Sequence, residues 1–86
     1  MMKLFVFWIV IVDGYTVTRA TVSAPTFQDA VELALWQNGY EVSSCQWLCR
    51  PVADVCVFTA KISKNSIQYS IVINATQEGH DGIANV

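Results

Sequence analysis

The residues of this chain that could do covalent or metal chemistry are few and lie apart from one another. Cys45, Cys49 and Cys56 are the candidate nucleophiles or metal ligands, and His80 with Asp81 is the candidate acid–base pair. The cysteine spacing matches no standard zinc ribbon, and an odd cysteine count leaves a disulfide framework incomplete. We therefore expect the cysteines to be small buried apolar residues in a reducing cytosol, with no metal site.

Nucleophilic catalysis would need a base within hydrogen-bonding distance of the nucleophile. His80 is the one histidine and follows in a polar C-terminal segment, where a solvated tail is the simpler interpretation. The sequence contains no Gly-rich phosphate loop and no pair of carboxylates with supporting spacing. It therefore predicts a protein that is not an enzyme and has no cofactor.

Composition points to a binding surface rather than to a charged ligand. The 86 residues fit one domain, with 53% hydrophobic and only 14% charged residues. The net charge is −2 and the lysines and arginines are scattered, so direct nucleic-acid binding is not expected. The apolar run at residues 4–12 is too short to span a bilayer and predicts a strand. Apolar surface in excess of one small core favours a protein partner.

The N-terminal third has the pattern of a β-hairpin. Residues 4–12 are rich in β-branched and aromatic side chains, Asp13-Gly14 follows, and residues 15–23 alternate. Asp-Gly predicts a type I′ turn with Val12 opposite Tyr15. The first strand is apolar on both faces, so we expect it either inside the sheet or covered by a partner.

A single helix is predicted over residues 25–37. Thr26 is a good N-cap, Asp29 occupies the capping-box position, and Gly39 is placed to end the helix. Trp36 falls on the side opposite the apolar arc. Either its ring folds back against the helix end or Tyr40, or it is an exposed aromatic anchor.

Three further strands are predicted at residues 40–48, 54–62 and 67–74, with a turn at residues 63–66. Pro51 would fit only at a sheet edge or in a turn. The predicted fold is α+β, in the order ββαβββ, with a mostly antiparallel sheet and one helix on one face. Residues 1–74 form the single domain and residues 75–86 a flexible tail. The sheet face opposite the helix is left open for a partner or for a homodimer.

The segment TFQDAVELALWQ at residues 26–37 resembles the helix of the gene-two-type inhibitors of bacterial RNA polymerase from short-tailed coliphages. Phe7 and Trp8 match a Phe-Trp pair in the first strand of that family. Residues 40–42, YEV, match the start of its third strand. The resemblance covers residues 4–52. The helix positions that match are Thr26, Gln28, Asp29, Ala30, Glu32, Leu33, Ala34, Trp36 and Gln37.

This resemblance implies binding to the jaw of the largest catalytic subunit of RNA polymerase, in the downstream DNA channel of that enzyme. The protein would then act in the cytoplasm of the bacterial host. There, together with the N-terminal region of sigma factor, the family prevents a productive open complex. Two third-strand arginines of the family pair with acids on the jaw, and Ser44 and Gln46 stand in their places here. Arg50 could partly replace them from the end of the strand. The residues predicted to bind the partner are Ser44, Gln46, Trp47 and Arg50, with Arg19 and Trp36 as outlying contacts.

Two alternatives remain open from the sequence. The strands within residues 54–74 are additional to the family core, and the missing arginines favour a different target. The chain would then be a phage anti-CRISPR or another anti-defence protein that acts by protein binding. The two-sided apolar first strand also fits a self-assembling structural protein.

Overall fold

The computed structural model describes residues 3–52 and 54–78, and of residues 47–52 it describes the backbone alone. The elements are β1 (Phe5–Asp13), β2 (Thr16–Ala24), α1 (Phe27–Gln37), β3 (Glu41–Val52), β4 (Val55–Lys64) and β5 (Ile67–Gln77). The strands form one sheet in the order β2-β1-β5-β4-β3, and every neighbouring pair is antiparallel. The predicted α+β fold and its ββαβββ order are confirmed. β1 lies inside the sheet between β2 and β5, as its two apolar faces indicate.

The hairpin between β1 and β2 closes two residues away from the predicted register. Asp13 pairs with Thr16, so Gly14 and Tyr15 form the loop, and Val12 does not face Tyr15. Gly14 has φ +62, whereas Tyr15 is not left-handed. A type II′ turn needs glycine only at its first central position, and this geometry fits it better than the predicted type I′ turn. Because the shift is an even number of residues, every side chain keeps its predicted face.

Local sequence signals set both ends of α1. The Thr26 Oγ1 accepts a hydrogen bond from the backbone N–H of Asp29, at 3.1 Å. Gly39 follows the C-cap with φ +84, and the Tyr40 N–H donates to the Leu35 carbonyl at 3.0 Å. At this C-terminal end, the bond from Tyr40 to Leu35 and the conformation of Gly39 are those of a Schellman motif, in which a left-handed glycine stops the helix.

The core lies between α1 and one face of the sheet. Phe7 packs edge-on against Phe27 of the helix, with ring centroids 4.9 Å apart. From the helix, the fully buried residues are Ala30, Val31, Ala34 and Leu35. From the strands, the largest buried side chains are Phe7, Ile9, Ile11, Cys56, Phe58, Ile62 and Ile73. Alternation along each strand therefore assigns one face to the core and leaves the other free.

The C-terminal strands run further than the sequence predicts. β5 continues to Gln77, past the predicted end at Asn74, and Ala75 is fully buried in the core. β3 continues through Pro51, which is tolerated because β3 is an edge strand. Residues 79–86, and with them most of the predicted tail, lie outside the described part of the chain.

Candidate functional site

The candidate site is the side of the sheet that faces away from α1, which we call the open face. The strand register brings one set of alternate side chains onto this side, and none of the described elements packs over it. Its apolar members are Val6, Trp8, Val10, Val12, Val17, Val55, Val57 and Val72. Its polar and charged members include Arg19, Thr21, Ser44, Gln46, Thr59, Lys61, Ser70, Asn74 and Thr76.

Trp8 is the largest side chain on the open face, and 54% of its surface is exposed. Its cross-strand neighbours are Thr21 in β2 and Thr76 in β5. The indole Nε1–H donates to Oε1 of Glu78 at 3.0 Å. Trp8, Thr21 and Arg19 line a pocket of about 300 Å³. Because the indole N–H already has a partner, the exposed part of the ring is available chiefly for apolar contact.

Valines extend this apolar surface across three strands. Val12 is the Cα partner of both Val17 in β2 and Val72 in β5. Val17 and Val72 each expose more than a third of their surface. Arg19 in β2 and Lys61 in β4 lie on the two sides of this apolar strip. An apolar centre with a polar rim is typical of a surface that contacts another protein.

Two of the residues predicted to bind a partner lie on the open face beside the edge strand β3. Ser44 pairs with Lys61, and Gln46 pairs with Thr59. Together with Ser70 these residues line a polar pocket of about 170 Å³. On the open face, Ser44 and Gln46 therefore belong to an uncharged polar patch beside one lysine.

The other predicted partner residues do not form one group with this patch. Arg19 shares the open face but lies on β2, at the opposite edge of the sheet. Trp36 is 73% exposed on the outer side of α1, so its ring is not packed against the helix end. No single flat partner surface could contact both Trp36 and the open face. The side chains of Trp47 and Arg50 lie outside the described residues.

The sequence-based selection of site residues does not include Trp8. The signal was present, because the hairpin alternation already places Trp8 on the same face as Arg19 and Thr21. The apolar pattern of the first strand favoured a core role for both of its faces. What identifies Trp8 as a surface residue is the position of α1, which covers the other side of β1 only.

A second polar cluster lies at one end of the sheet, around Asp13. Oδ2 of Asp13 accepts hydrogen bonds from the hydroxyls of Tyr40, at 2.9 Å, and Tyr69, at 3.3 Å. Burial, and then the Asp13 carboxylate, raise the pKa of Tyr40 from 10.0 to about 12, and the same causes raise the pKa of Tyr69. Both phenols therefore stay protonated and donate at neutral pH. The cluster joins the end of β1 to the start of β3 and to β5, which is a structural role.

The described cysteines are not activated. Cys56 is fully buried and Cys45 is partly buried under α1. Burial, and secondarily the nearby Glu32 carboxylate, raise the pKa of Cys45 from 9.0 to about 11. A thiol with so high a pKa is a poor nucleophile at neutral pH. Among the side chains that the structure describes, which do not include that of Cys49, no group of three or more from His, Cys, Asp or Glu could hold a metal ion. His80 and Asp81 lie outside the described residues.

Comparison with known proteins gives no match: no family model fits the chain, and neither a curated protein nor a solved structure matches it. Among the described residues, no helix has the length and apolar character needed to cross a membrane.

Proposed function

We propose that this chain is a non-enzymatic inhibitor that binds bacterial RNA polymerase and blocks host transcription by occupying a surface of the enzyme. The observation that carries the proposal is the exposed Trp8, set among valines and next to Arg19 on a face that α1 leaves uncovered. Exposed apolar side chains contribute little to the stability of their own chain. Their contiguity on one face supports a role in binding.

The chemistry of the open face suits the centre of a protein interface. Tryptophan and arginine are the residue types most enriched among those that dominate binding energy, especially where a ring of other contacts excludes water. Trp8 and Arg19 share one pocket, and Val6 and Val10, the neighbours of Trp8 on the same side of β1, can form part of the surrounding ring. We therefore assign the main contact to the Trp8 pocket and a lesser one to the Ser44 and Gln46 patch.

Positive charge on the open face suits a partner that presents acidic groups. The resemblance implies acids on the polymerase jaw, and the arginines that would meet them are replaced here by Ser44 and Gln46. Arg19 and Lys61 supply cations from other strands of the same face. Because exposed charges are screened at physiological salt, we expect them to set the association rate and the apolar contacts to set the affinity.

The proposal is tested by measuring the affinity of the chain for purified bacterial RNA polymerase holoenzyme, together with transcription from a promoter. We expect Trp8→Ala to weaken binding at least about 30-fold, since such central residues contribute about 2 kcal/mol or more. Trp36→Ala is the matched control, because it removes an exposed tryptophan from the other side of the molecule. Its affinity should stay within about threefold of wild type.

The unfolding temperature of both variants is needed, since Trp8→Ala also removes the hydrogen bond to Glu78. Arg19→Glu gives a second test on the same pocket and should slow association at low salt. Absence of stoichiometric binding by the wild-type chain, or equal losses for Trp8→Ala and Trp36→Ala, would exclude polymerase binding through the open face.

The uncharged patch around Ser44 and Gln46 favours a second candidate target. If the partner were a bacterial defence complex rather than polymerase, no paired arginines would be required on β3. The chain would still be a surface-blocking inhibitor that uses the open face. Capture from a lysate that contains an active defence system, with Trp8→Ala and Trp36→Ala in parallel, separates the two targets by the subunits recovered.

A further inference from the structure

The two edges of the sheet are unequally protected against pairing with another strand. The edge strand β3 shows three register shifts between Val42 and Val52, and such bulges discourage further pairing. The opposite edge, β2, pairs with β1 over its full 9 residues without any shift. β2 contains no proline, and Arg19 is its single charged residue. By the usual criteria, the β2 edge is an unprotected template for another strand.

The backbone groups of β2 that face outward can be identified from the register. The Val6 carbonyl accepts from the Glu78 N–H at 2.8 Å, so even-numbered residues of β1 direct their backbone groups toward β5. Odd-numbered residues of β1 then bond to β2, where their partners are even-numbered. The N–H and C=O groups that point away from the sheet are those of Val17, Arg19, Thr21 and Ser23. No hydrogen bond from the described part of the chain reaches them.

We propose that two copies of this chain pair antiparallel through β2 and form one continuous sheet, with Ala20 of each copy on the two-fold axis. In this register Arg19 lies opposite Thr21 of the second copy, and Val17 lies opposite Ser23. Every outward N–H and C=O group then has a partner, because each of these residue pairs exchanges two hydrogen bonds. Ala20 lies opposite Ala20 of the second copy as a non-hydrogen-bonded pair, the closer of the two pair types, and two alanines fit there without steric conflict.

Neighbouring registers are less favourable for reasons that the sequence supplies. A shift by two residues in one direction places Arg19 opposite Arg19 of the second copy, and like charges directly opposite are destabilising. The shift in the other direction places Val17 opposite Pro25, which has no N–H to donate. Larger shifts leave outward groups unpaired at both ends. The arrangement centred on Ala20 is therefore self-complementary, which is what a two-fold interface requires.

The first test is sedimentation equilibrium of the full chain over a wide concentration range, with two variants of one position. Thr21→Pro removes an outward N–H and should raise the dimer dissociation constant at least about tenfold. The fold should survive, because proline is tolerated on an edge strand when its nitrogen faces solvent. Thr21→Val is the matched control: it keeps the N–H and the β-branched shape, and it should dimerise like wild type.

The second test is disulfide cross-linking under mild oxidation, which does not depend on a destabilising substitution. In the proposed register, the two Ala20 Cα atoms lie about 4.5 Å apart, within the range that a disulfide spans. The two Thr18 Cα atoms lie about 14 Å apart, which is too far. Ala20→Cys should therefore cross-link to a second copy, and Thr18→Cys, on the same side of the same strand, should not. Peptide mapping separates these bonds from any made by the native cysteines.

A chain that stays monomeric at the highest concentrations, or that cross-links equally through both positions, would overturn the proposal. So would a dimer that persists in Thr21→Pro but is lost in Trp8→Asp, because its contact would lie on the open face. The inference does not depend on the identity of the inhibited complex. Polymerase binding could fail while the β2 dimer forms, or the reverse.

Discussion

At the scale of single residues, the Asp13 carboxylate has the most consequential contacts outside the core. Its Oδ2 binds two phenols from separate elements, Tyr40 after the helix and Tyr69 in β5. Hydrogen bonds to a charged acceptor are among the stronger ones in proteins. The proton on Tyr40 is thus linked to folding, because the folded state holds it to a higher pH than the unfolded chain does.

This linkage predicts the behaviour of the protein at alkaline pH. The pKa of Tyr40 is raised from 10.0 to about 12, so its contribution to stability is complete below pH 10 and is lost as the pH rises toward 12. The free energy of unfolding of the wild type should fall over this range. Tyr40→Phe, which has no proton to lose, should show a shallower fall, measured by urea unfolding at a series of pH values.

Tyr15→Phe is the control for this experiment, because Tyr15 is fully exposed in the turn. It should keep the wild-type dependence on pH. Equal slopes for wild type and Tyr40→Phe would contradict the assignment of this linkage to the Asp13 cluster.

At the scale of elements, local signals predicted which segments form the helix and the strands. Contacts outside a segment decided the position of the hairpin loop and the end of β5. Thr26 and Gly39 define the helix ends because caps act through bonds within a few residues. The two-residue loop of the hairpin was predicted at Asp13 and Gly14 but lies one residue later, at Gly14 and Tyr15. Asp-Gly fits a type I′ turn, whereas in this loop Gly14 alone takes the left-handed conformation. The end of β5 was placed too early because Asn74 and Ala75 have weak strand propensity, whereas burial of Ala75 in the core continues the strand.

Two adjacent residues of β5 test the assignment of the sheet faces. Ile73 is fully buried beneath α1, whereas Val72 lies on the open face. Ile73→Ala should reduce the free energy of unfolding by about 2–5 kcal/mol, because it leaves a cavity in the core. Val72→Ala should reduce it by less than about 1 kcal/mol, and denaturant unfolding measures both. Similar losses at the two positions would mean that the open face is covered in the isolated chain.

At the scale of the whole molecule, the strand order was beyond sequence reasoning, whereas an open sheet face opposite the helix was predicted. The pairing of β1 with β5 joins residues that are far apart in the sequence: Trp8 and Glu78, which share a hydrogen bond, are separated by 70 positions. No local sequence pattern encodes such a pairing. That pairing determines which side chains meet on the open face, since β5 brings Val72 next to Val12. Of the predicted partner residues, Ser44, Gln46 and Arg19 share this face, whereas Trp36 does not.

The low charge of the molecule and its apolar open face together predict how its self-association depends on pH. The net charge is −2 at pH 7 and the isoelectric point is about 5.0. Repulsion between molecules should vanish near that pH, so light scattering at fixed concentration should rise to a maximum there. Lys61→Glu on the open face and Lys64→Glu beside the turn change the net charge equally. Both should move the maximum to lower pH, and a maximum that stays in place would contradict a charge-controlled association.

The pairing of the first strand with the last also sets an order of events during synthesis. β1, the most apolar strand, leaves the ribosome first, and its neighbour β5 is complete only when Gln77 has been added. At typical rates of protein synthesis this interval is roughly 3 to 12 seconds. Throughout it, the nascent hairpin of β1 and β2 has an unpaired inner edge, and the pair of β3 and β4 cannot join it because β5 lies between them in the sheet. The growing chain is therefore a natural client for chaperones at the tunnel exit, and any pause in translation before β5 prolongs that dependence.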